Sequence, residues 1–401
     1  MVVANRNGQL ERFDIRSKHS IQETPPLRNS HTTSAITDWQ VRFEQIPAEG
    51  GTRSAYRTML STSAAGTWCV LVPLVSGSGG DSTLGNLLCA DSNGKHAAQL
   101  NPNESIVDLR GVAAAVRPSS GRPAVVFRTV SSNRALTDVY SGDLSYAELS
   151  SDGRWTIEQI GSQENFGFNP VLSWSSDGQP VVFHYSYDSP ESIVHRRGSD
   201  GVWKRSPIGH RRFRVFGVHR DDSASQWIVA GNCGRFNFAH APSSILTVND
   251  RFQWQYIDWP VMRRPIRILQ HGTESVLVSV PADFRSLSQN CLLQKIMFPA
   301  TIGDEVRVPV ESGTVLDAIA LSDESFLCLL IDAGVVRLLR VSRSDVSEIR
   351  LPELPRFKGP TPCIRLQRLA DDRISIVFAD ALVGVDNLVQ EIRVFICTAS
   401  L

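Results

Sequence analysis

The chain has 401 residues, 42% of them hydrophobic and 20% charged, which is enough apolar material for a core and too much for a disordered polymer. Forty-one basic side chains balance forty-one acidic ones, so no global charge draws the protein to nucleic acid or to an anionic membrane. No apolar run is long enough to span a bilayer, and the start MVVANRNGQLERFDIRSKHS lacks the basic-then-apolar order of a signal peptide. A cytoplasmic protein is expected, or a secreted one if the chain begins further upstream.

Residues 1–38 read as an extension: a short hairpin followed by a segment rich in Pro, Ser, Thr and His. Next comes WQVRFEQIP (Trp39–Pro47), which is similar in pattern to two later strands, RWTIEQI and FQWQYIDW (Phe252–Trp259). From there a unit recurs: a short apolar strand, a polar turn, a stronger alternating strand, a loop, then two strands joined by a Gly/Asp turn. Its clearest copy runs VLSWSS, DGQ, PVVFHYSY, DSPES, SIVHRR, GSDG, VWKRSPI (Val171–Ile208), and the copy before it spans Val112–Ile160. Apolar and polar residues alternate with period two, as in half-buried strands, and no amphipathic helix is evident.

The second strand of each unit sets the phase. It begins near Thr67, Pro123, Pro180, Gln226, Ser275, Ser325 and Arg373, a spacing of roughly 51 residues. Four-stranded units at this period are propeller blades. The expected fold is an all-β, seven-bladed β-propeller over residues 39–401. The last unit stops after its third strand, Asn387–Leu401, and an open blade leaves an unpaired edge. Trp39–Pro47 is therefore expected to close the ring, with Gln9–Ile15 as the competing strand.

SSDGRW (Ser150–Trp155), GSDGVW (Gly198–Trp203) and the degenerate NDRFQW (Asn249–Trp254) fall between third and fourth strands. They resemble the Asp-box turns, S-x-D-x-G-x-x-W, of sialidase-like (BNR-repeat) propellers, although one residue between Asp and Gly is missing and Trp follows one residue early. The resemblance covers two or three units and implies fold, because Asp boxes lie away from the catalytic centre in that family. AYRTML (Ala55–Leu60) is similar to the family's YRIP-type segment, which would put Arg57 in the position of an arginine that grips a substrate carboxylate. Ile and Pro of that segment are absent, and two partner arginines cannot be assigned.

Propeller ligands gather where the fourth-to-first and second-to-third loops converge. In units three to five those loops carry His210, Arg211, Arg212, Arg235, His240, Arg263 and Arg264, with Arg285 beside them. A cationic mouth on a neutral protein suits an anionic or carbohydrate ligand; the plain alternative is that these arginines pair with neighbouring carboxylates. Arginine outnumbers lysine thirty-six to five, which composition alone also explains. Were the propeller an enzyme acting on glycans by hydrolysis or elimination, Arg57 and the mouth arginines would anchor a carboxylate. Tyr185 or Tyr187 would serve as nucleophile or base, and Asp188 or Asp283 as acid/base. Asp188, Asp283, Asp332 and Asp380 recur at the end of the second strand, and turn initiation explains that recurrence most simply.

A third class is a protein-interaction scaffold with no small-molecule site. Seven cysteines (69, 89, 233, 291, 328, 363 and 397) show no CxxC spacing, so most read as small buried hydrophobes. No metal-spaced His cluster, phosphate loop or dinucleotide fingerprint is present, and neither metal nor cofactor is expected.

Overall fold

The structure, a computed structural model, describes residues 2–4, 10–12, 36, 38–48, 53–54, 58–63, 65–75, 84–93, 98–100, 105–131, 141–164, 168–185, 192–209, 213–221, 225–233, 243–257, 263–271, 274–281, 291–297, 301–308, 314–321, 325–332, 335–353, 363–384 and 388–401. Among them every regular element is a strand, and no helix is long and apolar enough to cross a membrane.

Among the described residues, strands β1 (Val2–Ala4) and β2 (Leu10–Arg12) pair only with each other. β3 (Gln40–Pro47) comes next in the chain and belongs to the last sheet. The first blade holds β4 (Arg53–Ser54), β5 (Met59–Thr62), β6 (Trp68–Val75), β7 (Leu84–Asp91), β8 (Ala98–Leu100), β9 (Ser105–Val116), β10 (Pro123–Ser131), β11 (Ser141–Leu149) and β12 (Trp155–Glu164). The second has β13 (Phe168–Trp174), β14 (Pro180–Tyr185), β15 (Ser192–Arg197) and β16 (Trp203–Ile208). The third has β17 (Phe213–Asp221), β18 (Gln226–Cys233), β19 (Ser243–Asn249) and β20 (Trp254–Ile257). The fourth has β21 (Arg263–His271), β22 (Glu274–Pro281), β23 (Cys291–Met297) and β24 (Thr301–Val308). The fifth has β25 (Thr314–Ala320), β26 (Phe326–Asp332), β27 (Val335–Val341) and β28 (Val346–Ile349). The closing blade runs β29 (Cys363–Arg368), β30 (Arg373–Val383), β31 (Val389–Ser400), then β3.

The first strand of each unit lies innermost, and these strands pack around a ring. β5 touches β9, then come β13, β17, β21, β25 and β29 in turn, and β29 returns to β5. The fold is a β-propeller. Among the described residues it has six blades, five of four strands and one of nine, and not the seven expected. The difference arises at β9, which is long enough to pair with β10 along both halves across a bulge between Phe127 and Arg128. Its leading half also meets β7, with Leu84 opposite Asp108 and Gly85 opposite Val107. Backbone groups that would have formed two separate edges satisfy one another, so the first two units share one sheet.

β3 pairs antiparallel to β31 from Gln40 opposite Thr398 to Pro47 opposite Glu391. The closing strand is therefore Trp39–Pro47, less its first residue, and the competitor near Gln9–Ile15 supplies β2 of the separate hairpin.

The core sits between blades. Ile46, Trp68, Val70, Val377 and Val394 join the closing blade to the first, while Val181, Phe183, Trp227 and Val229 join the second to the third. Leu327, Leu329, Ile374 and Phe378 do the same for the fifth and the closing blade. Such flat apolar faces stack because burying them stabilises the fold by about 25 cal/mol per Å² of apolar area removed from water. Cys69, Cys89, Cys328 and Cys397 are free thiols buried among these strands, acting as small hydrophobes.

Candidate functional site

The strand register frames the predicted site. Phe168, first residue of β13, pairs with Tyr185, last of β14; Phe213 opens β17 opposite Cys233, last of β18; Arg263 opens β21 opposite Pro281, last of β22. These three pairs lie at the same end of three blades whose inner strands touch in succession. They flank the chain segments that carry the candidate residues. Tyr187, Asp188, His210, Arg211, Arg212, Arg235, His240 and Asp283 lie outside the described residues, as does Arg57, two residues before β5.

Arg263 and Arg264 were expected in a loop. Their backbones are instead the first two residues of β21, with Arg264 opposite Val280. Tyr185 is buried at the end of β14, 8% exposed, between Phe168 and Ser192 on the flanking strands. Asp380, expected at a turn, lies within β30 directly opposite Arg393 and accepts a hydrogen bond from its guanidinium at 2.9 Å. An ion pair across two strands explains this aspartate where turn chemistry had been invoked.

One residue inward from Tyr185, His184 stacks on His195 of β15 with ring centroids 5.2 Å apart, and both are buried. Burial holds both imidazoles below the usual histidine range, and the charge of Arg205, opposite His195 on β16, adds to this. His195 is brought down to about 4. Both rings are neutral at neutral pH.

At the opposite end of the strands is a groove that no sequence motif announced. It lies between the outer strands of the first blade and the second blade, and its volume is about 180 Å³. Tyr146 and Glu148 alternate along β11, while Glu158 lies opposite Tyr146 on β12. Arg117 places Nη1 2.9 and 3.0 Å from the two Glu148 oxygens and reaches the Gly178 carbonyl through Nη2 at 3.2 Å. From the second blade, Arg197 grips Glu158 with Nε at 2.7 Å and Nη2 at 2.9 Å, and the Trp203 indole donates to the same carboxylate at 3.2 Å. The Tyr146 hydroxyl donates to Glu148 at 3.0 Å. Burial, with the Glu148 charge adding to it, drives that phenol far above its usual range, so it stays a hydrogen-bond donor. The only signal available in sequence was the arginines flanking two Gly turns, Arg117, Arg122 and Arg197.

Among the described residues no group of three or more His, Cys, Asp or Glu is placed to hold a metal ion.

Neither a protein-family model nor a curated protein sequence matches the chain. Solved structures do. A prolyl endopeptidase aligns with a TM-score of 0.50 at 10% identity, over 85% of this chain and 50% of its own. The polysaccharide lyase Uly1 follows with 0.49 at 9%, over 82% and 87%. An α-L-arabinanase of Penicillium chrysogenum, solved with arabinobiose, gives 0.46 at 13%, over 88% and 97%. The likeness is one of fold.

Proposed function

We propose that this propeller binds an anionic or carbohydrate ligand at the mouth of its central channel, through Arg57, His210, Arg211, Arg212, Arg235, His240, Arg263 and Arg264. One observation carries the reading: the strand pairs Phe168–Tyr185, Phe213–Cys233 and Arg263–Pro281 sit at one end of three successive blades. The segments they flank contain five of those eight residues, and Arg263 and Arg264 open an inner strand at that same end. Arginine forks grouped on one rim favour carboxylate, sulfate or phosphate groups. Elsewhere Arg117, Arg197, Arg220 and Arg337 are paired with carboxylates of their own or adjoining blades.

The test is a thermal-shift screen against neutral, carboxylated, sulfated and phosphorylated sugars, repeated with Arg211→Ala/Arg212→Ala. A ligand at a hundredfold excess over Kd should raise stability by about 2.7 kcal/mol. A shift with acidic sugars that disappears in the double variant supports the reading. No shift with any sugar leaves the interaction scaffold as the better account, and a shift followed by product formation would move the protein to the glycan-active enzymes.

A further inference from the structure

We propose that the groove between the first and second blades, at the end opposite the mouth, is a second binding site whose ligand is a hydroxylated carboxylate about the size of one sugar residue. The sign of the charge follows from counting partners. Both carboxylates in the groove are already paired: Glu148 with Arg117 and Tyr146, Glu158 with Arg197 and Trp203. Arg122, which lines the same groove, has no hydrogen bond or ion pair to its guanidinium among the described residues. Three arginines against two glutamates leave one positive charge, and it belongs to a planar fork suited to a carboxylate.

Neutral groups supply the second half of the recognition. The Nε of Arg117 is a buried donor, and the Oε1 of Gln179 is a buried acceptor; neither has a hydrogen-bond partner among the described residues. Both residues line the groove, as does Thr156. Buried polar atoms of this kind are met by ligand or by water, and a hydroxyl group, being both donor and acceptor, can satisfy either kind. The volume of about 180 Å³ is small for a drug-sized ligand and admits a monosaccharide acid. The neighbouring groove, between the second and third blades, differs in sign. Its lining has Asp177, Asp200 and Asp250 against Arg196 and Lys204, so the two grooves flanking one blade are not interchangeable.

The site is built from first-to-second and third-to-fourth turns, which lie at the opposite end of the strands from the mouth, so it stands or falls independently of the mouth. Isothermal titration calorimetry of the full chain with glucuronate, glucose, acetate and inorganic phosphate tests it. The same titrations are run on Arg122→Gln and on Arg211→Ala/Arg212→Ala, with an oligogalacturonate added to separate a free acid from a chain end. The expected result is saturable glucuronate binding that is weakened at least tenfold in Arg122→Gln, is kept in the mouth variant, and is absent for glucose. A thermal melt of Arg122→Gln within a few degrees of the parent shows that folding is not the cause. Glucuronate binding unaffected by Arg122→Gln, no binding at all, or equal binding of acetate and phosphate overturns the proposal.

Discussion

At the scale of single residues, a few charged side chains are buried and tie strands together. Asp317 of β25 is 2% exposed, accepts the backbone N–H of Ala318 at 2.9 Å, and accepts that of Leu366 in β29 at 2.9 Å. It thus ties the inner strands of two blades together. Asp317→Ala should cost about 2–3 kcal/mol in urea unfolding, because two buried donors lose their acceptor; Asp317→Asn should cost less. The histidine pair gives a pH prediction. The folded rings stay neutral while unfolded imidazoles bind protons near 6.5, so acid favours the unfolded chain. The stability they allow is present above about pH 6.5 and falls as pH drops toward 4, the value of His195, by up to roughly 3 kcal/mol. Thermal melts of the protein and of His195→Leu across that range check this, and the variant should show a shallower slope. The pairing of Arg263 with the backbone of Pro281, or of Asp380 with Arg393, was not legible in sequence, because it depends on which residue the neighbouring strand presents.

Elements were more legible than residues. The second strands begin at Trp68, Pro123, Pro180, Gln226, Glu274, Phe326 and Arg373, within a residue of where the alternation puts them. The reason is that the central strands of a blade are buried on both faces, and their apolar runs are the strongest in the chain. The Ser-x-Asp-Gly turns behaved differently. Ser150 and Asp152 close the turn to Arg154, with Gly153 at φ 78°. The same chemistry recurs at Ser175–Gln179, with Gly178 at φ 73°, but there it joins first and second strands. A turn found in both positions reflects local hydrogen bonding by Ser and Asp and does not establish an Asp box. Trp203, after one such turn, does bridge blades, stacking at a tilt on Tyr146 with ring centroids 5.7 Å apart. Close approach fixes one more position: a Cβ on Gly142 of β11 would meet the Thr129 carbonyl oxygen at 2.5 Å and Arg128 Nε at 2.8 Å. Gly142→Ala should therefore cost about 1–3 kcal/mol, read as a lowered unfolding midpoint with an unchanged urea slope.

The whole molecule is a ring that β3 closes from a chain position more than three hundred residues before β31. A chain starting at residue 49 lacks that strand, exposes the edge of β31 and uncovers Ile392 and Val394, which pack with Ile46. It should aggregate or melt well below the parent, and a peptide spanning residues 36–48 added in trans should restore the transition; unchanged melting without the peptide would show that the ring does not need β3. The sequence by itself determined the all-β class and the period of the units, which follow from the alternation of apolar residues along one strand, a local property; between Trp39–Pro47 and Gln9–Ile15 the pairing of β3 with β31 made the choice. Only the tertiary structure decided the number of blades and the second groove. β9 meets β7 across the undivided first sheet, and Arg197 of the second blade meets Glu158 of the first across a blade boundary, in the groove that Arg122 also lines. Such contacts depend on edges and faces brought together by the ring, and no run of neighbouring residues encodes them.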